Sequence, residues 1–224
     1  MGYFTKEFLE FFRALEKNNS TEWFRENKSW YETAVKEPFY RLVEELIQRI
    51  HHDDPKVTIA PKDAIFRINR DIRFSKDKSP YKTHVSALIS REGRKSKEAP
   101  GFYLQLSSHE IMVAGGAYVV EKENLRKIRT KIARSSKEFD KILKQPDFKK
   151  KFGTLQGETN KILPKEFQTI ARQQPLIANK QFFYMTELPA KIITGNLLPD
   201  VLMEYYKAGR AINNFLREAM YGKR

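Results

Sequence analysis

Hydrophobic spacing along this chain changes twice, from helical to alternating and back, and that switch limits the folds open to it. Over the first fifty residues the apolar side chains recur every three to four positions. Phe8, Phe11, Phe12 and Leu15 form one stripe, and Trp23, Phe24, Trp30 and Tyr31 a second. Phe39, Leu42, Val43, Leu46, Ile47 and Ile50 form a third. Thr5 is placed to cap the first helix, Asn18-Asn19-Ser20 breaks it, and Thr21 is placed to cap the second. Pro38 stands where a third helix begins, and His51-His52-Asp53-Asp54-Pro55 closes it.

From about residue 64 the period falls to two. Ile65–Arg70, Val85–Ser90, Gly101–Ser107 and Ile111–Ala117 read as strands, punctuated by Gly93, Gly101, Gly115 and Gly116. Connections this short between residues 90 and 110 leave no room for crossover helices, so the sheet is expected to be antiparallel. The helical period returns at Glu121 in a very basic run with Leu125, Ile128, Ile132, Phe139, Ile142 and Leu143. Residues 146–199 carry Pro and Gly throughout and read as an irregular wrap, with one strand or short helix near Gln181–Met185. Pro199 or Asp200 starts a last helix. This order predicts an α+β fold, a central antiparallel sheet flanked by amino- and carboxy-terminal helices. It predicts a single domain over 1–224: helical 1–54, sheet with a basic motif 62–120, basic helix and wrapping segments 121–199, terminal helix 200–221.

A chain of 224 residues buries roughly 70–75% of its unfolded surface and needs no covalent staple. It has no cysteine, which excludes disulfides, thiolate metal sites and cysteine nucleophiles, and a reducing, cytoplasmic setting is expected. Charged residues interrupt the first twenty positions, so they do not read as a secretory leader, and no apolar run is long enough to span a membrane.

Charge carries more information. Lys and Arg number 42 against 28 Asp and Glu, a net +14. Residues 62–97 hold 11 basic and 4 acidic side chains, a net +7, and residues 121–151 hold 12 and 5, again +7, so two segments contain the whole excess. Such an imbalance points to a polyanionic or phosphorylated partner, or to a lysine-rich surface kept soluble by repulsion.

The densest chemistry lies between Arg67 and His84. On a strand continuing to Arg73, period two sets Arg67, Asn69, Asp71 and Arg73 on one face, with Arg70 pointing the other way. Asp71 among guanidinium groups would fix their forks, leaving paired donors suited to phosphate or carboxylate. Lys76, Lys78 and Lys82 add point charges from the following loop, Tyr81 a hydroxyl and His84 a titratable ring. The candidate anion-binding set is therefore Arg67, Arg70, Asp71, Arg73, Lys76, Lys78, Tyr81, Lys82 and His84. A structural role for the same residues, with Asp71 neutralising a partly buried arginine and Tyr81 packed in a turn, stands beside it.

Arg67-x-x-Arg70-Asp71-x-Arg73-Phe74, followed by Asp77-Lys78 and Tyr81, resembles the hallmark of a bacterial family of uncharacterised proteins, domain-of-unknown-function family 2461. The resemblance takes in Asn18-Asn19 with Glu22-Trp23-Phe24, then Gly101-Phe102-Tyr103 and Gly115-Gly116. It is looser at Leu163-Pro164-Lys165 and Lys180-Gln181. It implies a whole-chain domain of about this length and no agreed activity.

Familiar enzyme signatures are missing. Neither G-x-x-x-x-G-K-[ST] nor G-x-G-x-x-G nor G-x-S-x-G occurs. The His51-His52 pair cannot turn both rings to one site on a helix, and Asp71 and Asp77 lie among cations that oppose a metal, so no metal or cofactor is expected. Three functions stay open: a binding module for nucleic acid or a phosphorylated small molecule, with Phe74, Tyr81 and Tyr103 as stacking rings where exposed; an enzyme acting on a phosphorylated or carboxylated substrate in a pocket of the same motif; and a scaffold or complex subunit.

Overall fold

The computed structural model describes residues 2–96 and 98–222. Its helices, in chain order, are α1 (Lys6–Lys17), α2 (Thr21–Glu26), α3 (Lys28–Tyr31), α4 (Glu37–Asp53), α5 (Pro61–Ala64), α6 (Lys122–Arg134), α7 (Ser136–Leu143), α8 (Pro146–Phe152), α9 (Lys165–Ala171) and α10 (Leu198–Tyr221). Four strands, β1 (His84–Ile89), β2 (Gly101–Ser107), β3 (Glu110–Ala117) and β4 (Phe182–Pro189), make one antiparallel sheet in the order β1-β2-β3-β4, with helices before and after it. This is an α+β fold. No helix among the described residues is long and apolar enough to cross a membrane.

Contacts divide the chain into two units. The first comprises Met1–Lys95, Tyr103–Val113 and Glu187–Met203, the second Ser96–Phe102, Ala114–Thr186 and Glu204–Arg224; β2, β3, β4 and α10 contribute residues to both.

In the first unit, Thr5 adopts an extended backbone and its hydroxyl accepts from the Glu7 amide, which starts α1 where the sequence predicts. Phe8, Phe11, Phe12 and Leu15 are fully buried. Phe11 is the hub of an aromatic cluster, its ring 5.3 to 6.3 Å from those of Trp23, Phe24, Trp30 and Tyr31. The cap of α2 is Ser20, one residue before the expected Thr21: Ser20 is extended and its Oγ accepts from Trp23 N at 3.2 Å, while Thr21 is already helical. Between α3 and α4 the chain does not break at Pro38. It widens into a π-helical turn over Glu32–Lys36, because proline has no N–H to give and its ring would crowd the carbonyl four residues back. α4 then packs on α5 and β1.

In the second unit, the basic run after Glu121 is two helices, α6 and α7, interrupted at Ser135. The stretch expected to be irregular holds α8 and α9, and β4 lies where one strand or short helix near Gln181–Met185 is expected. Two buried polar arrangements organise this unit. Tyr184, 1% exposed, donates through its hydroxyl to Asn213 Oδ1 at 3.1 Å. The same oxygen receives Gly116 N–H at 2.8 Å, and Asn213 Nδ2 donates to Gly101 O at 3.1 Å. Gly115 and Gly209 leave room for the phenol, since a Cβ at either position would overlap it. Arg129 on α6, 4% exposed, donates to the carbonyls of Ile177, Ala178 and Asn179 and to Asn160 Oδ1 at 2.9 to 3.3 Å.

Candidate functional site

The basic motif lies in the first unit on an irregular hairpin. Residues 65–70 run antiparallel to residues 80–87 without forming a regular strand. The rungs are isolated bridges at Ile65–Ala87 and Asn69–Tyr81, with backbone bonds Phe66 N–Ser86 O, Lys82 N–Ile68 O and Arg70 N–Pro80 O of 2.8 to 2.9 Å. Ile68 is buried while Arg67, Asn69, Asp71 and Arg73 are exposed and Arg70 is half-buried, the alternation that period two requires. The isolated bridges account for the departure from the expected strand.

The base of the hairpin is clamped from the amino-terminal helices. Asn19 uses its side-chain amide as a peptide would: Nδ2 donates to Tyr81 O at 2.9 Å and Oδ1 accepts from Tyr81 N at 3.1 Å. The Phe24 ring stacks on the Tyr81 ring, centroids 4.0 Å apart and planes within 16°. Tyr81 is consequently 8% exposed, and its ring and backbone anchor the hairpin to the amino-terminal helices. Asn19 and Phe24 have roles that the motif alone does not reveal, although the Asn18-Asn19-Ser20 helix break marks the spot.

The loop beyond, residues 71–79, is held by its own side chains. Arg73 lies on Asp71 in a fork, Nε to Oδ1 at 2.9 Å and Nη2 to Oδ2 at 2.7 Å, and this hydrogen bonding holds the Asp71 carboxyl below its usual range. Asp77 accepts from Ser79 N and Oγ at 2.9 and 2.7 Å and pairs with Arg70, and the Ser79 bonds foremost hold its carboxyl far down. Lys78 Nζ donates to Ile72 O at 3.0 Å; Lys82 Nζ donates to Arg67 O at 2.9 Å and stands over the Phe66 ring. Arg67 and Lys76 have no ion-pair partner among the described residues. Six cations against two carboxylates leave this hairpin at +4. At its apex Phe74 is 95% exposed, with the Arg73 guanidinium 5.9 Å from its ring centre.

His84 opens β1, half-buried. Burial first, and the Lys82 ammonium second, push its pKa from 6.5 down to about 4, so the ring is neutral at pH 7 and adds no charge to the motif. The unfolded chain takes up this proton below about pH 6.5 and the native one does not. The His84 contribution is therefore whole above 6.5 and is lost as pH falls toward 4. Stability measured by urea unfolding is expected to drop by on the order of 2–3 kcal/mol across that window, and His84→Gln to flatten the step. An unaltered step in the variant would assign it to other groups.

The first unit also has a cleft of about 630 Å³ lined by Tyr3, Arg41, Glu45, Arg49 and Asp200, to which the hairpin contributes nothing. In the second basic segment, in the second unit, half of the twelve basic side chains are engaged internally. Arg126, Lys127, Lys131, Lys144 and Lys151 face carboxylates, and Arg129 is buried. Among the described residues no three His, Asp or Glu side chains are grouped to hold a metal.

A family model described as a conserved hypothetical protein (DUF2461) matches residues 7–215, which includes the hairpin, its Asn19 and Phe24 clamp, and the Gly115–Asn213 arrangement. No curated protein and no solved structure matches the chain. With most of its length under that one model, the chain belongs to the DUF2461 family of conserved hypothetical proteins.

Proposed function

We propose that this protein is an anion-binding module whose basic hairpin, residues 66–84, holds a nucleic-acid strand by its phosphates. The observation that carries this reading is the outward display of the motif. Arg67, Arg73, Lys76 and Lys78 are all exposed, with the Arg73 and Lys78 side chains held by bonds inside the loop and those of Arg67 and Lys76 left to meet a ligand. Both carboxylates are paired to arginines of the same loop, so no acidic group is left to repel an anion approaching Arg67 or Lys76. From Arg67 to Arg70 the paired chain spans roughly 10 Å, and the turn and loop beyond carry Arg73, Lys76 and Lys78, so the cations are spread over more than one phosphate. A pocket for a small phosphorylated metabolite needs walls, which an open loop does not supply. Asp71, one of the groups an enzymatic reading would use beside Tyr81 and His84, has both oxygens held by Arg73.

Fluorescence anisotropy with a mixed-sequence labelled oligonucleotide tests this. Binding is expected at 50 mM salt and, with four phosphate contacts, is expected to weaken roughly 50- to 150-fold by 200 mM. The triple variant Arg67→Ala/Lys76→Ala/Lys78→Ala is expected to reduce the slope of log affinity against log salt by about 2 to 3. Absence of binding at 50 mM, or a triple variant indistinguishable from the parent, overturns the proposal.

A further inference from the structure

Resting on that reading, we infer that the strand is single and that Phe74 stacks on one of its unpaired bases. A large apolar side chain is ordinarily withdrawn from water, and most of those among the described residues are. Phe74 is the most exposed large hydrophobic residue among those described, at 95%. The turn beneath it is bonded on both sides. Ser75 N donates to Ile72 O at 3.3 Å, the Lys78 ammonium donates to the same carbonyl, and the Arg73 fork is locked on Asp71. The ring is thus projected by an ordered loop. Holding it there before binding lowers the entropy cost of association.

The neighbours of the ring choose among occupants. The Arg73 guanidinium stands 5.9 Å from the ring centre, and Lys76 and Lys78 follow within four residues, all three exposed. A base lying on Phe74 carries a phosphate on each side, and exposed cations of the same loop are there to attract them. Stacking on an aromatic face is indifferent to sequence and needs one ring, so Phe74 alone suffices. A duplex offers no free base face without unstacking, so it gains only from the cations. A lipid surface is the other partner that likes a ring among cations. One phenylalanine, though, gives less apolar burial than stable attachment takes, and Ile72 beside it is half-buried already. A protein partner would need a wider apolar patch, and Phe74 stands between Arg73 and Ser75 with Lys76 next in the chain.

The test compares the full-length protein with Phe74→Ala and Phe74→Trp, which a fully exposed position tolerates without loss of fold. Four probes are used at fixed salt: an oligothymidine strand, a duplex of mixed sequence, inorganic long-chain polyphosphate, and vesicles of phosphatidylserine and phosphatidylcholine. Phe74→Ala is expected to weaken the single strand by roughly tenfold or more and to leave duplex and polyphosphate within twofold. Phe74→Trp is expected to restore or exceed the parental affinity. Equal loss on strand and duplex overturns the stacking role, as does no loss on the strand. If the strand binds and Phe74→Ala changes nothing, the stacking inference fails while the basic hairpin stands; if neither the strand nor polyphosphate binds, the parent reading fails. Phe74-dependent binding to the vesicles but not to the strand overturns the inference in favour of a membrane surface.

Discussion

Gly209→Ala is expected to destabilise the protein by about 3 kcal/mol, although glycine-to-alanine in a helix interior ordinarily stabilises by about 0.5–1 kcal/mol. The sign reverses because the space above Gly209 belongs to Tyr184. A Cβ there would overlap the phenol oxygen and the adjacent ring carbons, and a second glycine, Gly115, lies equally close to the same oxygen. The ring has nowhere to retreat: it is 1% exposed, with Phe148 at 5.3 Å and Phe152 at 4.5 Å. Overpacking of this kind costs roughly 1–3 kcal/mol, and displacing the hydroxyl from Asn213 adds a similar penalty for buried polar atoms left unpaired. For a chain of this size the thermal midpoint is expected to fall by roughly 6–12 °C. Tyr184→Phe in the Gly209→Ala background is expected to recover part of the loss, because the closest clash is with the oxygen it removes. A neutral or stabilising Gly209→Ala would mean that the phenol does not occupy this space.

Arg129→Met is expected to cost a comparable amount, on the order of 3 kcal/mol. Replacing buried charge with hydrocarbon is often neutral when a whole ion pair is exchanged. Here the partners are carbonyl oxygens of the turn at Pro175–Ala178 and the following Asn179, and they stay behind when the guanidinium goes. Each buried acceptor left without a donor costs roughly 1–3 kcal/mol, reduced where water can enter. Arg129→Lys keeps a charge but cannot reach the same acceptors from one nitrogen, so an intermediate loss is expected. Urea unfolding gives the magnitude. Limited proteolysis locates it, with new cleavage expected between residues 157 and 180. A variant as stable as the parent and equally protected there would remove the arginine from its assigned role as the tie between α6 and this turn.

Where a segment of sequence carried its own periodicity, it could be read. The alternation at Val85–Ser90, Gly101–Ser107 and Ile111–Ala117 finds β1, β2 and β3 to within one residue at most ends, and the Thr5 cap and Phe8-Phe11-Phe12-Leu15 stripe find α1. Failure begins where elements are too short to repeat. α8 and α9 are seven residues each, two turns apiece, and their Pro and Gly neighbours look like loop punctuation. At the candidate site the exposed arginine face follows from period two alone. Tyr81 does not: its burial is decided by Asn19 and Phe24, about sixty positions away in sequence, and local spacing carries no trace of that pairing. Phe74 is named from sequence as a stacking ring only where exposed, and its exposure is not legible there, since a phenylalanine goes to the core by default and only its loop brings it to the surface.

The isolated bridges have a consequence for how copies of this chain meet. In the first unit the segment carrying Ile65 and Phe66 engages Ala87 and Ser86 along the outer side of β1; in the second, Gln156 pairs with Phe183 on β4, and Gly157 passes close against Gln181. Each outermost strand therefore has its row of free amides and carbonyls broken by a piece of its own polypeptide. A neighbouring molecule seeking to zip on as a fifth strand finds the template interrupted, which guards a crowded, concentrated protein against fibrous stacking without a charged residue being committed to the task.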